Sequence, residues 1–145
     1  MKFRLIIDKE KDEEVVATVH HRSPLIDEIE ALISKHTDRI PGYMDDEIKM
    51  LAVAEIECIT VLDGKTYAID SDNRRYRLKG RLYELEAQLG NREFVRISNS
   101  EIINLKKVRN FDLSLSGTIC VTLSDGTATY VSRRYVSKIK KVLGL

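Results

Sequence analysis

Two short polar segments carry the side chains best suited to engaging another molecule. Ser98-Asn99-Ser100 lies between the apolar runs Phe94–Ile97 and Ile102-Ile103, and Ser132-Arg133-Arg134-Tyr135 follows a run ending at Val131. Hydroxyls, a carboxamide and guanidinium groups can hydrogen-bond base edges and phosphates. No neighbouring side chain equips them to make or break a covalent bond. The chain holds no GxxxxGK[ST], GxGxxG or GxSxG, so phosphate-loop and hydrolase chemistry has no anchor.

The charge distribution agrees. Residues 1–72 hold 9 Lys+Arg and 17 Asp+Glu, a net of −8. Residues 73–145 hold 15 and 6, a net of +9, and the two sum to the overall +1. Such asymmetry points to nucleic acid as a partner of the basic half. Three basic clusters stand out there: Arg74-Arg75 with Arg77, Lys106-Lys107 with Arg109, and Arg133-Arg134 with Lys138, Lys140 and Lys141. Their bland reading is a solvated surface, since lysines near a helix C-terminus also complement its dipole.

Other candidates are weaker. His20, His21 and His36 all sit in the acidic N-terminal part without the ligand spacing of a zinc site, so no metal or other cofactor is expected. The acidic runs Asp12–Glu14 and Asp45–Glu47 read as solvated faces. Cys58 and Cys120 each lie in an apolar run and read as reduced core thiols. The 145 residues, 43% of them hydrophobic, suffice for a real core. No stretch matches a membrane span or a signal peptide, so the cytoplasm is the expected location.

The elements that must position these groups read as α+β, mainly β. Lys2–Ile7 and Val15–His20 have strand patterns. Ser23 and Pro24 open a helix with Leu25, Ile29, Leu32 and Ile33 on one face, and Pro41-Gly42 ends this β-β-α unit. Residues 1–42 thus form one unit and residues 43–145 a second. In the latter, strands Ile48–Val53 and Ile56–Leu62 lead to an Asp63-Gly64 hairpin. Lys65–Asp70 and Arg74–Leu78 follow as strands, then a short helix at Arg81–Leu89. Phe94–Ile97, the Ile102-Ile103 region, Ile119–Leu123 and Thr127–Val131 are further strands, the last two joined at Asp125-Gly126. Ser132 caps a closing helix with Val136, Ile139 and Leu143 on its apolar face.

Phe94-Val-Arg-Ile-Ser-Asn-Ser100 followed by Ile-Ile-Asn104-Leu resembles the central motif of LytTR-type DNA-binding domains. Asp125-Gly126 with Val131-Ser-Arg-Arg-Tyr135 is similar to that domain's closing hairpin and helix start. Ile56–Ile59 and Leu82–Leu85 fit upstream, so the resemblance covers roughly residues 44–145. It implies an elongated, mainly β domain that reads duplex DNA with loops, as a stand-alone transcription regulator without enzymatic activity. By local match it puts base contacts on Lys65, Asn99 and Arg134. Backbone contacts are expected from Arg75, Ser98, Ser100, Lys106, Lys107, Ser132, Arg133 and Tyr135. The family often has His-Arg-Ser or His-Asn-Ser where this chain has Ser98-Asn99-Ser100.

A stand-alone form in this family can be encoded beside a membrane protein that modulates it. The Leu25/Ile29/Leu32/Ile33 face is expected to form a homodimer that reads two half-sites, the alternative being that it completes the core of its own chain. The competing function is a protein-interaction or ligand-sensing module without DNA binding. An RNA-binding domain is disfavoured by the few aromatic residues of the basic half.

Overall fold

The computed structural model describes residues 1–90 and 93–145; the side chains of 34–37, His36 among them, lie outside that description. It divides into two compact units, Met1–Ile33 and Ser34–Leu145. Helix α1 (Pro24–Thr37) begins at the proline, as expected. The Ser23 carbonyl accepts from the amides of Ile26 and Asp27 at 3.0 and 3.2 Å.

The two strands expected ahead of α1 do not form, because residues 1–23 contain no strand. A turn does link the two runs, with the Glu10 and Lys11 amides bonding back to Asp8. Alternation alone was insufficient for a β-β-α unit. A two-stranded ribbon is marginal in water unless its apolar face is covered, and here Phe3 is 90% and Ile7 83% exposed.

The second unit contains β1 (Arg39–Met44), β2 (Glu47–Ala52), β3 (Ile56–Leu62), β4 (Lys65–Asp70) and β5 (Arg75–Arg77). After α2 (Leu82–Leu89) come β6 (Phe94–Ser98), β7 (Glu101–Asn104), β8 (Val108–Asp112), β9 (Ile119–Leu123), β10 (Ala128–Val131) and α3 (Arg133–Val142). Seven strands form one antiparallel sheet in the order β2-β1-β5-β4-β3-β7-β6, and β10-β9-β8 form another. The expected unit boundary at residue 42 therefore falls inside β1. Pro41 is tolerated there because β1 meets β5 only at Tyr43↔Arg77, so that side carries no ladder at the proline. Gly42 is required by close approach: a Cβ there would lie 2.6 Å from Leu51 Cδ1 and 2.8 Å from Tyr76 Cβ.

The large sheet is buried on both faces at its centre. On one face Ile59 and Ile102 join Leu82, Leu85 and Leu89 of α2, with Ile40, Leu51 and Tyr76. On the other, Cys58 and Ile103 pack with Ile119, Val121 and Leu123 of β9, Val131 of β10 and Ile139 of α3. Neighbours in sequence thus serve different cores, the signature of strands covered on both sides.

Bulges redirect side chains between these layers. The β3–β4 register slips between Ile56 and Cys58, leaving Glu57 as the extra residue. Glu57 is fully buried, and its Oε1 accepts from the Ser124 hydroxyl. Its Oε2 is buried with no hydrogen-bond partner. The β8–β9 register slips at Arg109, whose Nη2 donates to the Ser124 carbonyl at 2.9 Å. Two bulge residues of opposite charge therefore hold Ser124, just before the Asp125-Gly126 turn.

Glu101 on β7 makes a second tie between the sheets, accepting from Thr129 Oγ1 of β10 at 2.7 Å. Burial holds its carboxyl above the ordinary range, while bonds from Thr129 and Cys58 pull the other way. The folded state therefore favours the protonated acid more than the unfolded state does. The stability this contributes is complete in acid and is lost as pH rises through the raised value. Glu101→Gln is expected to be at least as stable as the parent at pH 7, because Gln can still accept from Thr129. Melting curves should show its advantage shrink on acidification; an advantage that grows in acid would contradict this. The neighbouring Cys58 thiol is pushed up to about 12, chiefly by burial and then by Glu101, and stays protonated.

Candidate nucleic-acid interface

The β6–β7 turn is built to hold a small polar tip outward. Its register slips between Arg96 and Ser98, so Ile97 is the extra residue, and it is fully buried. The Ser100 amide donates to Ser98 Oγ at 3.2 Å, closing the turn with its own side chain. Arg96 reaches under the turn: Nε donates to the Ser98 carbonyl at 2.6 Å and Nη2 to the Asn99 carbonyl at 2.7 Å. Its Nη1 lies 3.5 Å from a Glu86 carboxylate oxygen on α2, and the Arg96 side chain is only 13% exposed. A largely buried guanidinium thereby fixes two backbone carbonyls of an exposed loop. Sequence reasoning gave Arg96 no role of its own; the only signal was an arginine two residues before the Ser-Asn-Ser stretch.

Two other elements meet this turn. The Val61 amide of β3 donates to the Ser100 carbonyl at 2.9 Å. Lys65 pairs with Leu62 across the next hairpin, so it stands at the same end of the sheet. Asp63 and Gly64 between them have φ of 52° and 75°, the left-handed pair of a tight hairpin turn. From the other side, the Ser132 amide donates to the Ile97 carbonyl at 2.9 Å, seating the start of α3 against β6. Ser132 occupies the expected N-cap position, but its side chain makes no capping bond. The Tyr135 hydroxyl then reaches Asn99 Oδ1 at 3.3 Å.

The structure therefore gathers Lys65, Ser98, Asn99, Ser100, Ser132, Arg133, Arg134 and Tyr135 at one end of the unit. Lys65, Asn99 and Arg134 are all exposed. The remaining candidates lie elsewhere. Arg75 pairs with Ile69, four residues along β4 from Lys65 and so about 13 Å away. Lys106 and Lys107 follow the far end of β7, beside the Asp125-Gly126 turn, where the Lys107 carbonyl accepts from the Ser124 amide at 2.7 Å. Asn104 builds that corner: buried, it donates to the Ile56 carbonyl at 2.9 Å and accepts from the Lys106 amide at 3.1 Å. The Asn104 of the sequence motif is thus a structural brace.

Among the described residues no three His, Cys, Asp or Glu side chains converge as a metal site. No described helix is long and apolar enough to cross a membrane. The exposed end offers three cationic side chains, a carboxamide and several hydroxyls, a set suited to base edges and phosphates.

Comparison with known proteins places this geometry. Residues 46–144 match the family described as the LytTr DNA-binding domain. A Staphylococcus aureus protein (strain MSSA476), named an uncharacterized HTH-type transcriptional regulator, is 36% identical over 151 residues. The alignment takes in 100% of this chain and 99% of that protein. A like-named protein of strain NCTC 8325 / PS 47 is 35% identical with the same coverage. The N-terminal residues ahead of the family match therefore have counterparts in those relatives. Among solved structures, a LytTr DNA-binding domain from Bacillus cereus has the same fold. Its TM-score is 0.70 at 22% identity, covering 75% of this chain and 99% of that one.

Proposed function

This chain belongs to the LytTr DNA-binding domain family, and from that premise we propose that it is a transcription regulator reading duplex DNA with loop side chains. The observation that carries the reading is the joining of the Ser98–Ser100 turn to the β3–β4 hairpin and to the start of α3. In this reading Lys65 and Arg134 donate to guanine, and Asn99 hydrogen-bonds adenine or another purine. Ser98, Ser100, Ser132, Arg133 and the free N–H groups of the first turn of α3 bind phosphate nearby. Arg75, Lys106 and Lys107 reach the backbone away from the base-reading end. The relatives' names refer to a helix-turn-helix, in which successive helices are joined by a short turn. Here strands separate α1 from α2 and α2 from α3, which favours reading by loops.

The regulator works in the cytoplasm, catalyses no reaction, and pairs with a second copy through its N-terminal unit. Phe3, Leu5, Ile7, Val15, Val16, Leu25 and Leu32 are all exposed there, and apolar side chains clustered on a surface mark a contact with another molecule. Two linked copies would read two half-sites. Sedimentation at micromolar concentration is expected to find a dimer, and a monomer alone would remove this part of the proposal.

DNA binding itself is tested by fluorescence anisotropy with duplex and single-stranded oligonucleotides over a salt series. Duplex is expected to bind more tightly, with log K falling linearly against log salt as phosphate counterions are released. Folded protein that ignores duplex DNA even at low salt would overturn the function.

A further inference from the structure

We propose that Tyr135 is a positioning residue for base reading: its hydroxyl sets the side chain of Asn99, so that the loop tip and α3 present one prearranged reading edge. This rests on the DNA-reading function above and adds how the Asn99 side chain is held before DNA arrives. An exposed asparagine at a turn is ordinarily free to change rotamer, and ordering it on binding weakens the complex. Here Asn99 is exposed, yet its Oδ1 accepts from the Tyr135 hydroxyl at 3.3 Å. The tyrosine is itself fixed. Its ring packs on the second core beside Val136 and Leu143, and its amide donates to the Ser132 carbonyl at 2.8 Å in the first turn of α3.

The backbone of the same turn is held independently, by Arg96 on the Ser98 and Asn99 carbonyls. One arginine thus fixes the main chain and one tyrosine the side chain. Tyr135 directly follows Arg134, so the bond also ties two of the three candidate base readers together. With Oδ1 turned to Tyr135, Asn99 Nδ2 is the group offered to an acceptor such as purine N7 or guanine O6. The Tyr135 hydroxyl therefore acts through Asn99 and not through a phosphate.

A double-mutant cycle separates the two roles. Wild type, Tyr135→Phe, Asn99→Ala and the double variant are titrated against a duplex selected by the wild type and a scrambled duplex of equal length. Phenylalanine keeps the packed ring, and thermal melts confirm that each variant folds. Tyr135→Phe is expected to weaken the selected duplex roughly 3- to 10-fold, the value of one hydrogen bond. It should leave the scrambled duplex unchanged and add nothing to Asn99→Ala. Equal weakening on both duplexes, additive with Asn99→Ala, would show a direct phosphate contact and overturn the inference. So would an unchanged affinity for the selected duplex. A wild type that does not distinguish the two duplexes would instead overturn the function on which the inference rests.

Discussion

Replacing Lys65, Asn99 and Arg134 together by alanine is expected to leave a folded protein that no longer distinguishes one DNA sequence from another. The fold should survive because all three side chains are exposed, and surface substitutions of this kind change stability by about 0.5 kcal/mol or less. The hydrogen bonds that shape the supports, from Arg96 to the turn and from Val61 to Ser100, involve none of the three side chains. Each base-reading side chain is worth roughly 1–3 kcal/mol of discrimination. The three sum to roughly 3–9 kcal/mol, comparable with the ~4–10 kcal/mol that separates specific from non-specific binding. The residual affinity should equal that for random DNA and keep a steep salt dependence, because the phosphate-facing cations remain. Competition titrations with specific and scrambled duplexes measure this directly. A triple variant with its preference intact would move the reading surface elsewhere on the protein.

The largest loss of stability is expected at Ile103. It is fully buried in the second core and pairs with Cys58 on one side and Val95 on the other, so no edge lets the strand relax around a void. Ile103→Ala should cost about 2–5 kcal/mol, since the lost methylene burial and the cavity left behind both act. Urea unfolding should show a lowered midpoint with an unchanged slope. The same core seats α3 through Ile139 and Val131. A loosened core should therefore also weaken DNA binding, although Ile103 never reaches solvent. A cost below about 0.5 kcal/mol would mean that the two layers do not share a tight core.

Strands with strict alternation and glycine-containing turns were legible in the sequence. The β3–β4 and β9–β10 hairpins, α2 and α3 all follow from local pattern. What escaped has physical causes in particular residues. β1 was hidden by Pro41-Gly42, which reads as a break but pairs with β2 on one side only, at a point where β5 makes no ladder and a side chain at Gly42 would clash. β8 was hidden by its bulge at Arg109, which moves its half-buried apolar residues from a two-residue to a three-residue spacing, Val108 then Phe111. The opposite error arose at residues 1–23, where alternation exists but nothing described covers the apolar face. At the interface, residue types were readable, whereas their grouping was not. Only the chain path shows that Asn99 and Tyr135 meet across 36 residues while Lys107 lies at the other end of β7. The supports were the least visible part, since Arg96 and Glu57 act through bulges that a periodicity argument passes over.

The most direct test of the whole account is selection of bound duplexes from a random DNA library by the wild-type protein. A sharp motif is expected, in which separate base positions lose their preference in the Lys65→Ala, Asn99→Ala and Arg134→Ala variants. Enrichment of no sequence, by folded protein at low salt, would contradict it.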